Sequence, residues 1–269
     1  MSIKTMSVLK WVLLFVASLV LSFTMYALAQ WPTDVVPDGW IKWPISIAAS
    51  VAMIALYALF VKWFEREPAK DIPLKKLSAD TAKGFGVGAG FIIAVVAVML
   101  ATGLCKISGS STDQTIGIIT AFFHFILVAV GEEIIFRGVL FRWIDEKWGF
   151  ATALIISALL FGAMHKGQPN ATWWSSLAIA IEAGLMLGAA YKWSGSLWFP
   201  IGIHWAWNFL QGNIFGFAVS GSDAGASLFQ TTVNGPEILT GGPFGAEASI
   251  ITVILGSLLS AWFIFKAKR

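Results

Sequence analysis

Charge is what this chain has least of. Only 12% of its 269 residues are Asp, Glu, Lys or Arg, against 57% hydrophobic, and the mean hydropathy is +0.77. No ordinary soluble domain has that composition. A single cysteine, Cys105, excludes an intramolecular disulfide. No Gly-x-Ser-x-Gly turn occurs, so the strand-to-helix elbow that presents a serine nucleophile is missing. Neither a repeat nor a low-complexity tract interrupts the sequence. The chain also does not fall into two matching halves with interrupted helices, the pattern that would point to a secondary transporter.

What is present is a series of apolar runs near the 20 residues that a membrane helix needs. They lie at Val8 to Ala29, Trp43 to Trp63, Gly84 to Cys105, Ile116 to Phe136, Phe150 to Met164, Trp173 to Tyr191, Leu197 to Phe217 and Ser249 to Phe265. The expected fold is therefore all-α, a polytopic membrane helix bundle of about eight transmembrane helices, with residues 1–269 forming a single integral membrane domain. Ala27-Leu28-Ala29 also resembles the cleavage site of a secretory signal, but the apolar run before it exceeds the usual 7 to 15 residues. The first run is accordingly taken as a retained helix.

Orientation follows from the basic residues, because cytoplasmic connections hold an excess of Lys and Arg. With the N-terminus inside, 15 of the 18 fall on the cytoplasmic side, including Lys4, Lys10, Lys268 and Arg269; only Lys42, Lys106 and Lys166 fall outside. Both termini are thus expected in the cytoplasm. The net charge of +3 reflects this topology, so a nucleic-acid partner is not expected. The charges between Lys62 and Lys83 read as a solvated, lipid-facing connection. The outside segment 220–247 is rich in Gly and free of Lys and Arg, and its length points to a lid or folded cap.

Against this background the buried polar residues stand out, since an ionised side chain at the bilayer centre costs roughly 2.5–3.5 kcal/mol on insertion scales. Glu132 and Glu133 end the fourth run, and His165, His204 and Asn208 lie in later ones. Glu132 and His165 each stand 16 residues from the turn at Trp148-Gly149, so an antiparallel hairpin sets them at one level. Glu133 and Arg137, four apart, share a helix face and can pair, whereas Glu132 points about 100° away. His204 and Asn208 are also four apart and project from one face.

A carboxylate beside an imidazole in a low-dielectric pocket can hold and deprotonate water. A second imidazole with an amide can donate to the oxyanion of an attacked carbonyl. Alternatively Glu132, His165 and His204 can be ligands of a zinc ion that activates the water. Both arrangements stay open at this level. Glu182, mid-span in the sixth run, is expected to line the same cavity as a substrate-contacting or supporting group, the alternative being a neutral Glu bonded to a neighbouring helix. His124 and Phe161 read as structural and packing residues.

These residues also carry a resemblance. Glu132-Glu133-Ile134-Ile135-Phe136-Arg137 is similar to an EExxxR motif, Phe161-Gly162-Ala163-Met164-His165 to FxxxH, and His204-Trp205-Ala206-Trp207-Asn208 to HxxxN. Three such motifs in this order resemble the CPBP intramembrane protease family, which contains the type II CAAX prenyl endopeptidases and bacterial relatives linked to bacteriocin immunity. The likeness covers about residues 121–216. It implies an intramembrane endopeptidase, metallo- or glutamate-dependent, in which Glu132 and His165 activate water, His204 and Asn208 form the oxyanion site, and Glu133 and Arg137 support them. It also implies a membrane protein or peptide as substrate and a multi-pass location in the cell membrane, expected to be a bacterial inner membrane. A non-catalytic immunity or scaffold protein on the same fold is the alternative.

Overall fold

The structure, a computed structural model, describes residues 6–66, 68–110 and 113–267; Lys4, Lys268 and Arg269 of the charge pattern lie outside the described residues. Seven helical segments among them are long and apolar enough to cross a membrane. They are α1 (Val8–Val35), α2 (Lys42–Glu65), α3 (Leu77–Ala101, prolonged at its start by the turn Leu74–Lys76), α4 (Thr115–Trp148), α5 (Phe150–Met164, followed by the turn His165–Gly167), α6 (Trp173–Ser194) and α8 (Ile250–Ala267). The remaining expected span is α7 (Trp198–Phe209), which runs on as a π turn, Leu210–Ile214. It is short because it is central: ten of its residues, including His204 and Asn208, are buried. A helix wrapped by others need not match the bilayer's thickness.

The fold is the expected all-α bundle with one addition. Cys105–Ser110 (β1) pairs antiparallel with Phe229–Val233 (β2). Cys105 was expected to end the third helix; instead α3 stops at Ala101, and Gly103, with φ of 74°, turns the chain into β1. The 220–247 connection is folded, carrying β2 and the short helix Glu237–Thr240.

The basic residues from Lys62 to Lys83 are exposed as expected, but two acids of the same stretch are not. Glu65 forms a two-pronged ion pair with Arg142, both distances 2.6 Å, and accepts from Trp143 Nε1 at 3.1 Å. Asp71 accepts from Tyr57 at 2.6 Å and Tyr191 at 3.1 Å. Glu65 and Asp71 are both buried. These acids hold α2, α4 and α6 together at the end of the bundle opposite the 220–247 segment, because a bidentate guanidinium–carboxylate pair fixes direction as well as distance.

The position of α7 depends on glycines of α3. A Cβ added at Gly84 would stand 2.0 Å from the Phe199 carbonyl oxygen, one at Gly88 2.4 Å from that of Ile203, and one at Gly202 2.3 Å from that of Thr81. Small residues spaced four apart let two membrane helices approach backbone to backbone. Gly86 and Gly90, on the same helix, face open space. Gly88→Ala is therefore expected to lower the unfolding temperature in detergent, whereas Gly86→Ala and Gly90→Ala should leave it unchanged or raise stability by up to about 1 kcal/mol. Equal effects at the three positions would contradict the close α3–α7 approach.

Candidate active site

Three chain segments separated widely in sequence meet at one cavity. Glu132 comes from the middle of α4, His165 from the turn that ends α5, and His204 and Asn208 from α7; all four line a space of about 480 Å³. Its wall also includes Tyr26 and Gln30 of α1 and His124 of α4. Toward the 220–247 segment the lining continues through Asp34, Asp38, Ser222 and Asp223, which are exposed, so the mouth lies on that side. Residues 219–220 and 222–226 belong to its rim, consistent with a folded cap there.

Glu133 pairs with Arg137 at 2.8 Å, as the four-residue spacing anticipates. The same oxygen, Oε1, also lies 2.9 Å from His204 Nδ1, a contact across 71 residues that the sequence did not disclose. A carboxylate paired with Arg accepts only, so His204 Nδ1 carries the proton and donates. Its other nitrogen, Nε2, lies 3.9 Å from Glu132 Oε2, an oxygen with no hydrogen-bond partner of its own. His165 repeats the pattern: Nδ1 donates to the Phe161 carbonyl at 2.7 Å, which assigns the neutral ring a bare Nε2. Asn208 makes no side-chain hydrogen bond among the described residues, leaving its amide for a ligand.

Arg137 is fully buried and has more partners than Glu133. Its guanidinium carbon lies 4.6 Å over the Phe161 ring, a cation–π seat. Its Nη2 donates to the Ala183 and Gly184 carbonyls at 3.5 and 3.4 Å. Those carbonyls belong to a π-helical stretch of α6, Ala180–Gly184, and another, Ile134–Phe141, begins directly after Glu133. Such local widenings recur at functional sites because they re-aim side chains and free carbonyls. Phe161, expected as packing, also lies edge-on to Phe136 with ring centroids 4.9 Å apart, and 4.7 Å from the His165 ring. It therefore packs directly on two motif residues.

Glu182 is placed elsewhere than expected. It is completely buried, is absent from the cavity wall, and packs on α8, where a Cβ at Gly256 would stand 2.8 Å from the Glu182 Cβ. Neither of its oxygens has a hydrogen-bond partner. Its neighbours Ala183 and Gly184 meet Arg137 through their carbonyls, but Glu182 itself faces Gly256 of α8. The acid that does touch the cavity rim from behind is Glu247, buried and accepting from the Ser220 backbone N–H. His124, expected to be structural, lines the cavity with its Nδ1 unpartnered.

Among the described residues no three His, Cys, Asp or Glu side chains are grouped as a metal ion would require. Glu132, His165 and His204 share the cavity but do not form such a group.

Residues 114–210 match the family model described as type II CAAX prenyl endopeptidase Rce1-like. The matched stretch contains all three motifs and agrees with the resemblance drawn from them. No curated protein and no solved structure matches the chain. The match, which covers residues 114–210, and the apolar helices support a multi-pass integral membrane protein in which that stretch is similar to the CAAX endopeptidase family.

The rim acid makes stability depend on pH. Burial pushes the Glu247 carboxyl up from 4.5 to about 7, while the Ser220 N–H and the Gln211 and Trp207 side chains pull the other way. The other acid facing it is Glu182. Between pH 4.5 and about 7 the folded protein keeps a proton that the unfolded chain has released. This stabilisation is full below that window and lost as pH rises through it, at no more than about 1.4 kcal/mol per pH unit. Unfolding temperatures in detergent between pH 5 and 8 should decline in the wild type and decline less in Glu247→Gln. Parallel profiles for the two proteins would contradict the assignment.

Proposed function

We propose that this protein is an intramembrane endopeptidase that hydrolyses a peptide bond of a membrane-associated substrate with water activated by Glu132. The observation that supports it best is the convergence of Glu132, His165, His204 and Asn208 on one cavity, with both imidazoles held so that Nε2 faces it. A water bridging Glu132 and the bare His165 Nε2 donates a proton to each and keeps a lone pair for the attacked carbonyl. As the C–O bond forms, Glu132 takes the water's proton; when the tetrahedral intermediate collapses, that proton passes to the departing amine.

Asn208 donates to the oxyanion through its amide. Neutral His204 has its only N–H turned to Glu133, so in that form it has no N–H left for the oxyanion. The cavity mouth near Asp34, Asp38 and the cap admits the substrate; by the charge pattern this is the extracytoplasmic face. Because Glu132, His165 and His204 do not form a metal-holding group, the chemistry is proposed to be glutamate-dependent, and zinc is the reading to be excluded by test.

Purified protein with membrane peptide substrates supplies that test. Glu132→Gln keeps shape and removes the base, so turnover should fall by about 10²–10⁴-fold at an unchanged unfolding temperature. Chelation should leave the wild type active. Undiminished turnover in Glu132→Gln would remove Glu132 from the mechanism, and activity lost to chelator and restored by zinc would replace the glutamate mechanism with a metal one.

A further inference from the structure

Part of the cavity wall lies outside the residues that match the family model, and there α1 contributes Tyr26 and Gln30 to the cavity of Glu132, His165, His204 and Asn208. Tyr26 is set against the backbone that carries the proposed base. A Cβ at Gly131, the residue before Glu132, would stand 2.2 Å from Tyr26 Cδ2 and 2.3 Å from Cε2. Only glycine at that position lets the phenol ring lie flat on α4.

The hydroxyl's hydrogen bonds then decide what it can do. Gln30 Nε2 donates to the Tyr26 hydroxyl oxygen at 2.8 Å, while the Thr33 hydroxyl donates to the Gln30 backbone carbonyl at 2.8 Å and lies 3.4 Å from Gln30 Oε1. With Gln30 as donor, the phenol oxygen accepts and retains its own O–H. An inventory of the inner cavity shows why that proton matters. Glu132, His165 Nε2 and neutral His204 Nε2 present lone pairs only, and the Thr120 hydroxyl is spent on the Ile116 carbonyl at 2.8 Å. A developing oxyanion needs donors, and with His204 neutral the wall offers the Asn208 amide, the Tyr26 hydroxyl and the one N–H of the His124 ring.

We infer that Tyr26 is a catalytic hydrogen-bond donor of this site, aimed at the oxygen of the attacked carbonyl. The inference rests on the endopeptidase reading. In the addition step the water oxygen bonds to the carbonyl carbon, the carbonyl π pair moves onto oxygen, and Tyr26 donates to that oxygen without giving up its proton. The water's proton still goes to Glu132 and then to the amine. An amide and a phenol thus serve where the family motif alone would assign an imidazole and an amide, and the first helix becomes part of the active site.

Tyr26→Phe keeps the ring on Gly131 and removes only the hydroxyl. The expected result is a fall in kcat on the order of 100-fold, with KM little changed and an unaltered unfolding temperature. A second variant, 3-fluorotyrosine at position 26, keeps the donor but ionises at lower pH; it should stay active near neutrality and lose rate at lower pH than the wild type on the alkaline side. Wild-type kcat in Tyr26→Phe, or an alkaline limb unmoved by fluorination, overturns the donor role alone. Absence of cleavage by the wild-type protein overturns the endopeptidase reading beneath it.

Discussion

Glu133 accepts from Arg137 and from His204 through the same oxygen, and the geometry of the site follows from that shared contact. A carboxylate in so apolar a place is tolerable only with partners, and removing one member of a buried pair costs about 3–5 kcal/mol because the other charge is stranded. Arg137 anchors the carboxylate to the Phe161 ring and to the α6 carbonyls. The carboxylate in turn holds His204 by Nδ1, which turns Nε2 toward Glu132. Glu132 itself stays free of partners at Oε2. One acid is thus committed to architecture while its neighbour lines the cavity.

Backbone devices complete what the ion pair begins. Glycines 84, 88 and 202 bring α7 against α3, and this close approach sets the rotation that presents His204 and Asn208 to α4. The π stretches at Ile134–Phe141 and Ala180–Gly184 widen the helices where Arg137 must cross from one to the other. In a membrane, where lipid offers backbone groups no substitute partner, such irregularities persist only inside protein. Their location around the motif residues is consistent with that rule.

Much of this was legible in the sequence, for identifiable reasons. Apolar runs fix helices through length and hydropathy, and counting 16 residues from the Trp148-Gly149 turn anticipates that Glu132 and His165 line one cavity. The Glu133–Arg137 pair is a local event within one helix, so spacing discloses it. What sequence could not supply was rotation about helix axes and pairing between distant segments. Glu182 was expected at the cavity but packs on Gly256. The Glu133–His204 bond depends on how α7 docks. Glu65 and Arg142, 77 residues apart, read as solvated charges until folding makes them partners. The strand pair between Cys105–Ser110 and Phe229–Val233 was hidden in the same way, its two halves lying in segments that resemble a helix end and a loop.

The claim that Glu133 sets the tautomer and direction of His204, leaving Nε2 toward Glu132, can be read directly because the chain has only three histidines. Ring-¹⁵N labelling and NMR of the membrane-reconstituted protein distinguish a protonated from a bare nitrogen at each ring position. The account predicts that His165 and His204 both carry their proton on Nδ1 when neutral, and that Glu133→Gln shifts the His204 signals while leaving those of His165 in place. A neutral His204 protonated on Nε2 in the wild type, or a His204 spectrum indifferent to the loss of the Glu133 charge, would contradict it.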